Sequence, residues 1–589
     1  MVPRLKARAK RVEDSPKSDF PLCRAAARSS SEEFSSANET RADCITKAAG
    51  FRTLTCLPVA LAFAGIASVA TGCGASSSEE NWDGSPGLGG ESGVPGMVGA
   101  ESGSSLESGS STDSGVALES GSQSGLESGS SLESGSGANQ DSGSGVPESG
   151  PAEASVTTGC GAGDTNLPAE PTIPSACTTL TANQTVTGVG VPRESSLDTS
   201  RIQAALDSCG SGKALKLTTS GANNAFVTGP LNIPSGVSLW VDTGATLFGT
   251  RSLSVYGGAA GLITVKGQNS KIVGGGIIDG QGGEPEIGAS GTFWATNGGG
   301  GSSPVLIDVV GATNFTMYQI TLHNAPMFHV KLDAAGFVVW GVTIKTPSKA
   351  TNSVGTALTP TTAHNTDGID PGEAASNGYI VCSSISDGDD HIAIKGGTSV
   401  DKLTIAHNHF GAGHGMSIGS ETNGGVSNVN VYDLSIDGTG TGLSGGSSNG
   451  IRIKSDESRG GLVTNITYSD VCVRELTNPI ILNPRYSTAT GRLIPHYTGI
   501  TISNFRSMSS SVTPKVTIDG FDAAHATDLA LDNVVIDDIT SSDVSAEYAA
   551  VTEGPGNVNF TPTGTGVTVS NKISGSSTPN SCAGKWVTF

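Results

Sequence analysis

From about residue 210 to residue 571, apolar side chains recur at alternate positions in short runs, each closed by Gly, Asn, Asp or Ser. Val237-Ser-Leu-Trp-Val241, Phe315-Thr-Met-Tyr-Gln-Ile-Thr-Leu322, Phe337-Val-Val-Trp-Gly-Val-Thr-Ile344 and Val429-Asn-Val-Tyr-Asp-Leu-Ser-Ile436 are such runs, and this period predicts β-strands. Helical spacing occurs before them, where residues 198–209 place Ile202, Ala205, Leu206 and Cys209 on one face, with Ser200 and Gln203 spaced as a capping box. So many strands in one sandwich would need several domains. A repeat test separates that from a solenoid.

Asp390-His-Ile392 superposes on His414-Gly-Met416 at an offset of 24 residues, and Asp367-Gly-Ile369 superposes on Asp390-His-Ile392 at 23. Ile451-Arg-Ile453 falls on Met416-Ser-Ile418 at 35, as if a Gly/Ser-rich insertion of about 11 residues near 439–449 lengthened one loop. A unit of this size fits one coil of a parallel β-helix with three short strands, an all-β solenoid whose open N-terminal edge the helix at 198–209 would cap.

The alignment stacks Asp367, Asp390 and His414 on successive coils, with Asp389 beside Asp390. Coils lie about 4.8 Å apart, so three carboxyls and an imidazole share one patch. Crowded like charges raise at least one carboxyl pKa, which suits acid-base hydrolysis. Arg452 and Lys454 follow on the next coil, two apart, so strand alternation puts both cations on one face and Ile453 in the core. Alone, Asp387-Gly-Asp-Asp390 could be a turn or a calcium ligand set, and Arg-Ile-Lys a solvated face. Their occurrence in register favours a site for an acidic substrate.

The net charge is −21, from 33 Lys+Arg against 54 Asp+Glu, which makes nucleic acid a poor partner. The charge is uneven. Residues 1–73 are basic, and an uncharged stretch from Thr53 to Ser78 overlaps their end; its apolar part, Leu54 to Ala70, reads as an export signal too short and Ala-rich for a permanent span. It ends Ala70-Thr-Gly-Cys73, which resembles a bacterial lipobox with Cys73 as the lipidated residue, although Ala70 replaces the usual Leu; ordinary cleavage stays an alternative. Residues 74–155 carry acidic side chains, no Lys or Arg, and Leu-Glu-Ser-Gly-Ser repeats starting at Leu106, Leu118, Leu126 and Leu132, the composition of a solvated tether. The expected organisation is export segment (1–73), linker (74–155) and β-helix domain (156–589). Six cysteines follow Cys73, and an exported chain would pair them; of fifteen pairings, Cys177 with Cys209 and Cys472 with Cys582 are favoured. No C-x-x-C or H-E-x-x-H pattern argues for zinc.

Taken in order, Asn365-Thr-Asp367, Asp389-Asp390, Gly413-His-Gly415 and Arg452-Ile-Lys454 resemble the signature of the polygalacturonases of glycoside hydrolase family 28. The resemblance runs from about Asp198 to the C-terminus. It implies a single-stranded right-handed parallel β-helix that hydrolyses α-1,4-galacturonosyl bonds of de-esterified pectin with inversion. It implies Asp389 as general acid, Asp367 and Asp390 as the pair that activates water, and His414 as support for the acid. Asn365, Arg452, Lys454 and Tyr486 would bind substrate, and neither a metal nor another cofactor would be needed. The expected protein is an exported monomer, extracellular or held at the bacterial envelope through Cys73, acting on polygalacturonate in endo mode. Exo action, rhamnogalacturonan hydrolysis and a non-catalytic pectin-binding surface β-helix are the alternatives.

Overall fold

The computed structural model describes residues 159–443, 448–571 and 577–589. The export segment with Cys73, the 74–155 linker and part of the Gly/Ser-rich insertion lie outside the described residues. Among the described residues no helix is long and apolar enough to cross a membrane.

The named strands pair in parallel and form three columns. One begins Leu231–Ile233 and Gly261–Val265, continues through Ile369–Pro371, Ile392–Ile394, Met416–Ile418 and Asn449–Lys454, and ends at Val544–Glu547. A second runs from Ala176–Thr181 to Thr568–Ser570. A third, starting at Ala225–Thr228, merges with the second from Val400–Phe410 onward into long strands, each with a left-handed residue near its start and another at the later bend: His407 (φ 56), Asp433 (φ 50), Asp470 (φ 54) and Asn504 (φ 49) stand at the bends. Register sets like on like. Ile272, Met317, Val339, Ile380, Ile405, Val431, Tyr468, Ile502 and Leu531 lie opposite one another in sequence, all buried. Burying such a side chain contributes about 1.5–3 kcal/mol, so a slip by one residue would turn the whole stack to solvent. The apolar interior of the coil is therefore what fixes the columns.

The helix spans Thr199–Asp207 and buries Ile202 and Leu206. It does not begin with the expected capping box: Ser200 lies inside it, Asp198 is the N-cap, and Gln203 instead accepts from the Asn232 backbone N–H. Asp198 turns its carboxylate to Arg201 Nε three residues on (2.8 Å) and to the Val227 N–H across the fold (2.9 Å), and does not cap the N–H groups of the first turn. A strand precedes the helix, and Leu253–Tyr256 and Phe293–Gly298 add short helices that the spacing did not indicate. Cys177 is bonded to Cys209 and Cys472 to Cys582, and a third disulfide joins Cys160 to Cys382.

From Cys160 the chain runs along the outside of the coils before it enters the first one. Asp164 accepts from Tyr432 Oη (2.6 Å) and meets His407 Nε2 (3.0 Å), while Glu170 accepts from Tyr318 Oη (2.7 Å). Leu167 and Ile173 pack on an outward apolar patch that includes Tyr318, Trp340 and Val381.

Candidate active site

The register of the first column carries the aligned motifs. Ile369 pairs with Ile392, Ile392 with Met416, and Met416 with Ile451, so Asp367, Asp390 and His414 each stand two residues before a paired apolar anchor. Backbone bonds lock the loops between them. The Gly388 N–H donates to Thr366 Oγ1 (3.0 Å), the Asp389 N–H to Asp387 Oδ1 (3.1 Å), and the Asp390 N–H to Asp389 Oδ1 (2.9 Å). The turn reading of Asp387-Gly-Asp-Asp390 and the chemical one thus describe the same loop.

His414 needs both of its glycines. Gly413 (φ 151) packs so that a Cβ would stand 2.5 Å from His391 Nε2, and at Gly415 (φ 95) it would run into the Gly450 carbonyl. His391 is buried under this loop; its Nδ1 accepts from the Gly415 N–H (3.1 Å). The result is that His414 Nδ1 lies 3.0 Å from Asp389 Oδ1, with both side chains partly exposed.

Asp390 is buried and receives three groups: Lys454 Nζ at 2.8 Å, Ser417 Oγ at 2.7 Å and Arg452 Nη1 at 3.4 Å. Ile453 between the cations is in the core. Tyr486 is half-buried beside them, its ring centroid 5.2 Å from Arg452 Cζ and 5.1 Å from Lys454 Nζ. Asn365 holds a left-handed backbone (φ 54) at the edge of the patch, half-buried. Arg485 turns away from the site toward Glu547 (3.4 Å) and the Phe521 carbonyl.

Several residues of the site were not singled out from the sequence. Lys395 Nζ sits 3.2 Å from both Asp367 Oδ2 and Asp370 Oδ2 and 4.2 Å from the centre of the Phe328 ring. It lies one position beyond Ile394, which pairs with Ile418 as Ile418 pairs with Ile453; extending the repeat by one residue would have matched it to Lys454. His329 is buried beneath Asp367, its ring Nδ1 3.0 Å from the Asp367 carbonyl oxygen. Asp387 is buried with Oδ2 lacking a hydrogen-bond partner.

Electrostatics sort the carboxyls. Burial pushes Asp367 well above the usual range, against the pull of Lys395 and with help from the neighbouring carboxylates. Burial likewise pushes Asp370 up to about 7. Asp390 would also be raised by burial, but Lys454 and Arg452 outweigh this and hold it low. For Asp389 burial is overcome by the adjacent His414 together with Lys454 and Lys395, which pull it below the ordinary value. One carboxyl kept protonated beside others kept ionised is the pattern that proton transfer needs. The donor atoms of Asp389, Asp390 and His414 also fall within 4.8 Å of one another, close enough to share a cation. Asp390 already has two cationic side chains as partners.

The model of Glycosyl hydrolases family 28 matches residues 209–555, which contain every one of these groups. A polygalacturonase of Ralstonia nicotianae is 40% identical over 488 residues, covering 72% of this chain and 90% of the relative. An endo-polygalacturonase of Pectobacterium carotovorum subsp. carotovorum is 38% identical over 398 residues, 63% of this chain and 90% of that one. Among solved structures, the polygalacturonase from Erwinia carotovora ssp. carotovora superposes with a TM-score of 0.56 at 35% identity, over 68% of this chain and 100% of the other. With the parallel β-helix and the register of its motifs, these matches make the chain a member of glycosyl hydrolases family 28, a glycoside hydrolase.

Proposed function

We propose that the protein is an exported polygalacturonase that hydrolyses α-1,4 bonds between galacturonate units of de-esterified pectin, with inversion and in endo mode. The observation that carries the reading is the stack of Asp367, Asp390 and His414 on successive coils, with Asp389, Arg452, Lys454 and Tyr486 around it. The names of the relatives, polygalacturonase and endo-polygalacturonase, support it.

In this reading Asp367 and Asp390 take one proton from a water whose oxygen bonds to the anomeric carbon. The glycosidic C–O bond breaks with its electron pair on the leaving oxygen, and Asp389 gives that oxygen one proton. One proton is taken up and one delivered. Asn365, Arg452, Lys454 and Tyr486 hold the sugar and its carboxylates. An incoming substrate carboxylate adds negative charge beside Asp389 and displaces water, and both raise its proton affinity, so the acid form belongs to the complex.

A second reading exchanges two roles, because burial favours the proton on Asp367 while His414 keeps Asp389 ionised. Asp389→Asn and Asp367→Asn separate them on a galacturonide carrying a phenol as leaving group. The variant that lost the acid recovers turnover there, and the one that lost the base does not. New reducing ends from polygalacturonate in a chelator, without unsaturated product, are expected; binding without cleavage would favour a non-catalytic β-helix.

The same proposal makes residues 1–73 the export signal, Cys73 the lipid-bearing residue, 74–155 the tether and the enzyme a monomer. Cys73→Ala is expected to abolish labelling by a radioactive fatty acid, and persistent labelling would remove the anchor.

A further inference from the structure

On the Lys395 side of the acid cluster lies a cavity of about 400 Å³, within the range of small-ligand sites. It shares Asp370 and Lys395 with the cluster and is otherwise unlike the Arg452 end. Val305, Met327 and Phe328 form a small apolar group of their own, separate from the coil interior, and line one wall. Asp333, Asp370, Glu373 and Glu421 supply carboxyls against the ammonium groups of Lys331 and Lys395.

The charges differ in sign from those at the other end. Around Asp390 two cations, Arg452 and Lys454, share one carboxylate. Around the cavity Lys395 is divided between Asp367 and Asp370, Lys331 faces Asp333 at 3.2 Å, and Glu373 stands exposed at the rim. Glu421 is answered separately by Arg459 at 2.9 Å. Asp370 is 2% exposed and, the ammonium of Lys395 aside, neither of its oxygens has a hydrogen-bond partner; Asp333 Oδ1 is likewise buried without one. Burial pushes Asp333 up to about 6, as it does Asp370 to about 7. A further carboxylate placed here would meet like charge at Glu373 and Glu421. A neutral residue would meet an apolar wall, carboxylates that accept from its hydroxyls and ammonium groups that donate to its ester carbonyl.

We infer that this cavity binds an uncharged residue of the substrate chain, a methyl-esterified galacturonate, with Val305, Met327 and Phe328 receiving the ester methyl. The inference rests on the polygalacturonase reading and refines it. Hydrolysis would then require a free uronate at the Arg452 and Lys454 end and tolerate or prefer an ester at the Lys395 end. The enzyme would work at the margins of esterified blocks.

The test uses the Asp389→Asn protein, so that binding is read without turnover, with trigalacturonate carrying a single methyl ester and free trigalacturonate as probes in calorimetry. Glu373→Lys, at the exposed rim, adds a cation and should lower the ester-to-free affinity ratio about tenfold. Met327→Ala, added independently, should weaken the ester alone by a few-fold. A ratio unmoved by both variants overturns the inference. With the active enzyme, mass spectrometry of oligomers released from partially esterified pectin should find esters concentrated on one side of the cut, and their exclusion from both sides would also overturn it. Failure to cut polygalacturonate at all would instead sink the hydrolase reading and leave the binding ratio to decide this one.

Discussion

His414 Nδ1 stands 3.0 Å from Asp389 Oδ1, and this contact, joined by Lys454 and Lys395, outweighs the burial that would otherwise raise the Asp389 carboxyl. His414→Ala should therefore let Asp389 keep its proton to higher pH. The expected outcome is a pH profile of kcat/KM displaced upward, with a rate loss of about 10²-fold or more because the carboxyl loses its support. A rate loss with an unmoved profile would mean that the histidine acts only through loop packing.

Lys454 and Asp390 form a buried pair, 8% and 3% exposed at the side chain. Lys454→Met leaves Asp390 to Arg452 and Ser417 and should cost about 3 kcal/mol by urea unfolding at pH 7. Since Asp390 has a lowered pKa, the pair's contribution is present above the ordinary carboxylate value of 3.8 and is lost as pH falls through the lower folded value. The deficit of the variant should shrink in that acid range, and a deficit constant with pH would refute the electrostatic account.

Asp370 gives the opposite sign. Its folded pKa is raised from 3.8 to about 7, so folding loses stability as pH rises between these values. Asp370→Asn should match the parent near pH 4 and exceed it above pH 7, by on the order of 3 kcal/mol. Parallel stability curves for the two proteins would count against a strained carboxyl.

The Cys472–Cys582 bond closes a separation of 110 residues and ties the C-terminal segment to the coil, whereas Cys177–Cys209 closes 32. Replacing Cys472 and Cys582 together by Ser should destabilise by about 2–4 kcal/mol, read as a lower Tm, and by more than the matching change at Cys177 and Cys209. The reverse order would show that strain or residual structure outweighs chain entropy.

The coil and the clustering of its carboxyls were legible where one motif repeats against itself. Asp367-Gly-Ile369, Asp390-His-Ile392 and His414-Gly-Met416 carry their register in the apolar anchors, which the interior must stack. Lys395 was harder to see because its partners, Asp367 and Asp370, lie one coil earlier, and nothing local distinguishes it from a solvated strand end. Merging of two columns at Val400–Phe410 hangs on His407 adopting φ 56, a conformation for which the residue type gives little notice. The helix start failed for a related reason: the Asp198 carboxylate is taken up by the Arg201 side chain and by the Val227 N–H across the fold, and leaves the first-turn N–H groups without a side-chain cap.

The segment from Cys160 to Ala176 crosses several coils on the outside, tied to Cys382 at one end and paired into the first coil at the other. Stacked repeats that touch only their neighbours behave as a one-dimensional array, and such arrays fray from an end. A lengthwise splint changes the statistics: the first coils cannot peel away singly without stripping Leu167, Ile173 and their polar partners from coils further along. Loss of order in that half of the solenoid becomes a joint event, and the acid cluster, built on the coils beneath the splint's anchored end, is shielded from local melting at the N-terminal edge.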